Sequence, residues 1–382
     1  MQAEIRAGLW EKGVLSGAFG GEKMAFAGLS LDQGRIDFAG SRQEQNIGIG
    51  VSGDLGELKV KASATYRENW MGEITGLQLN TRSYGSWRQQ RDAPFTVLSD
   101  GVALDTICAT DGEGSICAGG EMEMAEPLRW KVRGSLASVP LAWLNRLKLL
   151  KLPVSGVIHA DIGADGDSRT IASATVEASL PEAEIELEVE DDEFSSIHWS
   201  DTLLSLRLAD AQLNGEFSTR MKNGSQVRAT AAIPGMGDFA RPANSLPLTG
   251  RLDLNNFDIA VLSAVTGYGV EPTGRVNSSL VLGGTLGEPH ISGDGRIEGG
   301  GIALPYQGIT LENVSTSIVA GEDGAKIVCR ATSGPGELNA EGTIRYGHAG
   351  VEGELKVRGK NFLLVNLPEY TLRVTPDVLF RF

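Results

Sequence analysis

Four histidines and three cysteines are the residues of this sequence whose side chains are most often used for catalysis or metal binding. His159, His198, His290 and His348 lie far apart, and none stands at metal-ligand spacing with Cys, Asp or Glu. The sequence contains no Gly-x-Ser-x-Gly elbow, no phosphate loop and no His-Glu-x-x-His motif. We therefore predict a non-enzymatic protein with no catalytic residues, no metal ligands and no cofactor.

Two further segments resemble known sites only superficially. The glycine-rich stretch 293–301 lacks the following helix that would present backbone amides to a pyrophosphate, so it is interpreted as a strand between glycine turns. The acidic run 188–193 lacks the glycine pattern of a calcium loop, and its alternation directs the carboxylates outward. We interpret it as a solvated strand end.

The cysteine pair Cys108 and Cys117 is the strongest local signal. The segment between them is typical of a hairpin with its turn at Asp111–Gly114, which places the two cysteines opposite each other. Opposed residues of an antiparallel pair lie about 4.5–5.5 Å apart at Cα, within disulfide range. We predict a disulfide in an oxidising compartment, with two reduced, half-buried cysteines as the alternative. Cys329 is expected only to pack.

Composition points to many short strands. The 382 residues include 50 glycines and only 6% aromatics, and glycine at roughly twice its usual frequency favours tight turns. The net charge is 34 − 49 = −15. This charge excludes nucleic acid as a favourable partner and disfavours electrostatic binding to anionic headgroups.

Alternation of apolar and polar residues with a period of two dominates the chain and predicts an antiparallel sheet with one apolar face. About twenty strands can be counted, and open sheets rarely exceed ~10 strands without curling or splitting. Either several sandwiches or one elongated trough would cover the apolar face. We favour the trough, an all-β, elongated, curled antiparallel sheet, because small inward-facing residues leave room for a cavity. Eight aliphatic residues are its predicted lining, with ordinary sheet core as the alternative: Leu58, Val60, Leu187, Val227, Leu280, Leu282, Ile344 and Leu355.

Helical spacing occurs only in short pieces. Segments 141–150 and 257–264 are predicted to be short helices, and 234–247 is predicted to be a loop. No segment approaches the ~18 consecutive apolar residues of a membrane helix. Residues 1–10 are predicted to form a strand and carry no signal-peptide pattern. These features are consistent with either a cytosolic protein or a portion of a longer exported protein, and we favour the second.

The order of several motifs resembles that of the TamB family of AsmA-like proteins. The resemblance covers nearly the whole chain and is most specific over 248–382. The motifs that carry it follow in chain order: the tryptophan segment 70–73, Trp87 before 93–94, the Cys108/Cys117 hairpin, 139–144, 283–293, 297–302, 309–314, 333–342, 367–370 and 375–379.

This resemblance implies a curled sheet with an apolar interior, or hydrophobic groove (a β-taco). It also implies a periplasmic protein of a Gram-negative bacterium that is anchored in the inner membrane and works with the outer-membrane protein TamA. The anchor and the TamA-contacting parts are expected to lie outside this chain. We expect 1–247 to be a middle segment of the groove and 248–382 to begin the TamB C-terminal-like domain. The implied function is phospholipid movement to the outer membrane, with acyl chains as ligands. The alternatives are chaperone-like assembly of outer-membrane β-barrels or autotransporters and a purely structural adhesin-type β-solenoid.

Overall fold

The computed structural model describes most of the chain. The described ranges are 2–11, 14–26, 29–41, 43–54, 56–81, 85–141, 154–189, 193–238, 240–260, 272–321, 324–347 and 350–382. The side chains of 1–15, 24–29, 185–195, 197 and 346–351 lie outside the description.

Within these ranges twenty-six strands account for nearly all of the regular structure, and all of the described strand pairs are antiparallel. Their bounds are β1 Gln2–Glu11, β2 Val14–Phe26, β3 Leu29–Gly40, β4 Glu44–Gly53, β5 Gly56–Tyr66, β6 Trp70–Thr81, β7 Ser86–Gln89, β8 Ala93–Val97, β9 Gly101–Thr110, β10 Ser115–Glu123, β11 Arg129–Pro140, β12 Val154–Asp167, β13 Ile171–Val189, β14 Glu193–Ala209, β15 Gln212–Met221, β16 Gln226–Pro234, β17 Thr249–Asp258, β18 Pro272–Gly284, β19 Pro289–Leu304, β20 Ile309–Gly321, β21 Gly324–Ser333, β22 Gly336–Gly347, β23 Gly350–Lys360, β24 Phe362–Asn366, β25 Thr371–Val374 and β26 Asp377–Arg381. Two short 3-10 helices span Ala243–Ser245 and Pro305–Gln307.

Of the described strands, twenty-four share one sheet, and β24 and β25 form a separate two-stranded sheet. The predicted all-β antiparallel sheet is therefore confirmed.

The chain divides into two compact units. Unit 1 comprises 1–151, 156–179 and 237–239. In it β1 to β6 form a meander, and the next position in the sheet is shared by two short strands. Both β7 and β8 pair with β6 on one side and β9 on the other, before β10, β11 and β12 continue the sheet. Trp87 and Ala93, at this divided position, are among its most buried apolar residues.

Unit 2 comprises 152–155, 180–236 and 240–382. Strands β14 to β23 pair in chain order, each with the next. The order is then interrupted, because the β24–β25 hairpin leaves the sheet and β26 returns to pair with β23. Asn361, with a positive φ of 50°, marks the point where the chain turns out of β23.

Three local predictions have clear outcomes. Residues 2–11 form β1, which confirms the predicted strand. The predicted loop 234–247 is confirmed for 235–238 and 240–247, which lie outside the strands and include one 3-10 helix, whereas Pro234 ends β16. The predicted helix 257–264 is wrong at its start: Phe257 and Asp258 end strand β17 and pair with β18. Local apolar spacing favoured a helix there, but pairing of Phe257 with Val276 prevails. Ala260 is helical, whereas 261–271 lie outside the described residues. Of the predicted helix 141–150 only Leu141, in a turn, is described.

Candidate functional site

The apolar face of unit 2 is organised in rows that cross its strands. Residues directly opposite in an antiparallel pair lie side by side on the same face, so the pairing register defines each row. One row contains two of the predicted lining residues, Leu280 and Ile344. It runs Leu204, Phe217, Ala229, Leu252, Leu280, Gly293, Ala320, Ala325, Ile344 and Gly353.

The adjacent row joins two more predicted residues, Val227 and Leu355, which are 128 positions apart in the chain. It runs Val227, Leu254, Ser278, Gly295, Ile318, Ile327, Gly342, Leu355 and Phe380. Leu282 belongs to the next row on the other side, between Gly250 and Ile291. The structure thus brings five of the predicted lining residues onto one face of unit 2.

Unit 1 carries a similar face. Val60 stands between Ile49 and Leu77, in a row that continues through Ile36 to Phe19. Leu58 occupies the neighbouring row, between Val51 and Leu79. The remaining predicted residue, Leu187, lies in β13, but its side chain is outside the described part of the structure.

These faces are only partly covered. All seven described lining residues are half-buried rather than buried. Several larger side chains in the same rows stay substantially exposed, including Ile318 at 37% and Ile36 at 43%. A packed sheet core would bury such residues almost completely. The rows therefore offer apolar surface that another apolar group can contact.

One margin of the unit 2 face is covered by the β24–β25 hairpin. The hairpin contacts β20, β21, β22 and the 3-10 helix at 305–307. Its first residue, Phe362, is 4% exposed. Ser333 occupies the same alternating set as Ile327 and Cys329 and is completely buried there. Ser333 is therefore the most buried residue of its alternating set on β21.

The opposite face is charged. Arg251 and Asp253 are two residues apart on β17, where the Arg251 Nε donates to Asp253 Oδ2 over 2.8 Å. This hydrogen bond holds the pKa of Asp253 below its usual range, and a side-chain hydrogen bond from Ser279 lowers that pKa to a smaller extent. Arg35 lowers the pKa of Asp37 in the same way on β3. Pairs of opposite charge along one strand therefore keep this face ionised and hydrated.

A further carboxylate stabilises a turn in unit 1. Asp167, at the end of β12, accepts hydrogen bonds from the backbone N–H groups of Arg169 and Thr170 at 2.7 and 2.8 Å. These bonds, in that order of importance, lower the pKa of Asp167. The charged carboxylate is thus part of the connection that leads into β13.

Cys108 and Cys117 lie directly opposite each other in β9 and β10 and form a disulfide. Cys117 also stands beside Ser135, and Ser135 beside Asp161. The residues next to these along each strand point to the other face, and they are apolar: Ile107, Ile116 and Leu136. The disulfide is therefore on the polar face of unit 1 and does not interrupt the apolar rows. Cys329 is half-buried, and the Thr316 hydroxyl donates to its Sγ at 3.4 Å.

Sequence reasoning left out several residues that share the apolar rows. The clearest are Phe217, Leu252, Leu254, Ile318 and Ile327 in unit 2. Period-two alternation could have found them, since each occupies the same alternating set as its apolar neighbours. Their positions beside the predicted residues depend on pairing register, which alternation alone does not define.

Across the ranges given above, no group of three or more His, Cys, Asp or Glu side chains is placed to hold a metal ion. No helix within those ranges has the length and apolar character needed to cross a membrane.

The described strands thus define an all-β antiparallel sheet protein with apolar rows on one face and ion pairs on the other. The family model described as TamB, N-terminal domain, matches residues 18–297. The match covers more than half of the chain, so the chain belongs to the TamB family. It also extends across position 247, where the predicted domain boundary lies, and that boundary stays a prediction. No solved structure matches the chain.

Proposed function

We propose that this chain is a non-enzymatic segment of a lipid conduit whose apolar rows contact phospholipid acyl chains. The observation that carries the proposal is one continuous row of paired residues across unit 2. Apolar or small residues stand opposite one another from β16 to β26, in a row that remains half-exposed. Acyl chains form no hydrogen bonds, so a surface that receives them needs apolar area and continuity rather than specific polar groups.

The energetic argument concerns the cost of moving a lipid through water. A chain of about 16 methylenes exposed to water costs on the order of 13 kcal/mol, at ~0.8 kcal/mol per methylene. A continuous apolar face offsets most of that cost at every point along it. The ion pairs of the opposite face are already hydrated and need no partner.

TamB-family membership implies a protein of the Gram-negative envelope. We further propose a periplasmic location, which the Cys108–Cys117 disulfide supports because such bonds persist in oxidising compartments. An inner-membrane anchor and contact with an outer-membrane TamA-like protein, both through parts outside this chain, complete the proposal. Movement of phospholipid from inner to outer membrane is the corresponding role.

Site-specific photocrosslinking in cells with labelled lipids tests this function. A photoreactive residue replaces Leu280 or Leu355 on the apolar face, and Glu354 or Lys356 on the charged face of β23 provides the matched control. Lipid adducts at the first pair only are the expected result. Adducts to polypeptide rather than lipid at Leu280 and Leu355 would instead favour chaperone-like binding of outer-membrane proteins. Absence of any adduct at all four positions would refute the conduit and favour a structural role.

A further inference from the structure

A line of β-bulges crosses neighbouring strands of unit 2. The pairing register shifts within each of the pairs β17–β18, β18–β19, β19–β20 and β20–β21. The residues at these shifts include four with positive φ: Asn256 at 50°, Gly274 at 131°, Gly299 at 60° and Asn313 at 52°. We call these four residues the bulge line. A bulge bends its strand and increases the local twist, so bulges in four adjacent strands turn the sheet along one line.

Polar contacts fix the bulge at Asn256. Ser225, which is completely buried, donates from its Oγ to the Asn256 carbonyl at 3.0 Å and accepts from the Asp258 N–H at 3.1 Å. The Asn256 N–H donates to Asn277 Oδ1 at 2.9 Å. These hydrogen bonds would be lost if β17 straightened, and unpaired buried polar groups are costly. The bulge is therefore a fixed feature of the sheet, not one that a ligand moves aside.

The apolar face is packed on one side of the bulge line and half-exposed on the other. On β17, Leu254 before the bulge is half-buried, whereas Phe257 after it is 9% exposed. On β20, Ile318 on the same side as Leu254 is exposed, whereas Val314 at the bulge is buried. The large buried residues beyond the line form what we call the packed margin: Phe257, Ile259, Ile309, Val314 and Phe362. Side chains packed at this density leave no room for a further hydrocarbon chain.

The half-exposed rows have a measurable depth. The row of Phe257, Val276 and Ile297, here called the Phe257 row, borders the packed margin. The next rows along β18 are those of Ser278, Leu280 and Leu282. Val276 and Leu282 are six residues apart on β18, or ~20 Å at about 3.3 Å per residue. An extended hydrocarbon chain, with carbon–carbon bonds of about 1.5 Å at angles of about 111°, advances about 1.25 Å per carbon. The rows therefore match a chain of about 16 carbons in depth.

We propose that the packed margin behind the bulge line limits the length of acyl chain that unit 2 accepts. The terminal methyl group lies at the Phe257 row, and the polar headgroup lies beyond Leu282, where Glu288 and His290 are exposed to water. The reverse orientation would bury the headgroup without hydrogen-bond partners, at a cost of several kcal/mol on the order of other unpaired polar groups. This inference rests on the proposed function and adds a chain-length preference to it.

The preference follows from what each further carbon contacts. A chain shorter than about 16 carbons leaves part of the Leu282 side of the face uncovered, so each added methylene gains apolar contact. A longer chain cannot enter the packed margin and extends past Leu282 into water, where a further methylene gains no contact.

Titration of the full chain with single-chain lysophosphatidylcholines, below their critical micelle concentrations, tests the length limit. Between about 10 and 16 carbons, each methylene should lower the dissociation constant about fourfold, as expected for burial of one methylene. Beyond about 16 carbons the dissociation constant should level off. A continuous fall through about 20 carbons, or equal affinity for all lengths, would overturn the proposal.

Ser278→Phe should move the limit. Ser278 is one row from the Phe257 row, and its neighbour Gly295 leaves room for a phenyl ring, a cross-strand arrangement that favours the sheet. The ring shortens the depth by two residues, ~6.6 Å or about five carbons, so affinity should level off near about 11 carbons. Ser279→Phe, on the charged face, is the matched control and should keep the limit near about 16. A folded Ser278→Phe variant with the length profile of the parent would contradict the assignment; if that variant does not fold, the titration of the parent decides.

Photolabelling with two synthetic phospholipids separates this inference from the proposed function. A diazirine on the terminal carbon of the acyl chain should label residues around Val276, whereas a diazirine beside the ester should label residues around Leu282 and its partner Ile291. Mass spectrometry identifies the labelled residues. The same labelling pattern from both lipids would overturn the length limit and leave the proposed function standing. No labelling from either lipid would refute the proposed function, and the length limit with it.

Discussion

Replacing Leu280 with arginine places a charge in the middle of the apolar face of unit 2. Its row neighbours are Leu252 and Gly293, and neither offers a counter-ion. Leu280 lies four positions from Gly284, the nearer end of β18, or ~13 Å at about 3.3 Å per residue. That distance exceeds the reach of an arginine side chain, so the charge cannot extend to water beyond the strand end while an acyl chain covers the row.

The magnitude follows from the cost of a charge among hydrocarbon chains. Arginine at the centre of an apolar membrane segment costs about 2.5–3.5 kcal/mol on insertion scales. With tenfold in affinity for each 1.4 kcal/mol, Leu280→Arg should weaken phospholipid binding roughly 60- to 300-fold.

Ser279→Arg is the matched control. It inserts the same side chain one residue away, on the charged face between Asp253 and Asp294. Surface changes of this kind stay within ~0.5 kcal/mol, or about twofold in affinity. Titration of each purified variant with a fluorescent phospholipid measures the dissociation constants, and circular dichroism checks that both variants fold. Equal affinities for the two variants would refute the assignment of acyl chains to this face.

Three further outcomes concern stability, each measured by urea unfolding. Replacing Cys108 and Cys117 with serine should lower the free energy of unfolding by about 2.6 kcal/mol, since their bond closes a loop with a sequence separation of 9. A variant with the same urea midpoint as the disulfide-bonded parent would contradict this. Asp167 has a lowered pKa in the folded state, so its contribution is complete above the ordinary carboxyl pKa of about 3.9 and is lost as pH falls through the lowered value. Asp167→Asn should therefore flatten the acid end of the stability curve, and an equally steep loss in the variant would show the reasoning to be wrong. Gly293→Ala should destabilise the fold by about 1–3 kcal/mol, because φ is +131° and the new Cβ would meet the backbone of β18. Gly48→Ala, with open space around it, should leave the stability unchanged. A greater loss of stability in Gly48→Ala than in Gly293→Ala would contradict the register of β18 and β19.

Family assignment and local structure were accessible from the sequence to different degrees. The motif order indicated the TamB family, and the family match over residues 18–297 confirms it. The hairpin around Asp111–Gly114 was also accessible, because a turn of acidic and glycine residues between two alternating segments has few other solutions. Phe257 was misread because its spacing to the following aliphatic residues suits a helix, whereas its strand partner, Val276, is 19 positions away.

The amino-acid sequence by itself determined that the chain is all-β and which side chains of each strand share a face. Alternation is a local property, since successive side chains of a strand point to opposite sides whatever the strand pairs with. Only the tertiary structure decided that Leu280 shares a row with Ile344, that the β24–β25 hairpin covers one margin, and that β26 returns to β23. Those features depend on bulges and on pairing between distant segments, where a shift of one residue exchanges the two faces of the sheet.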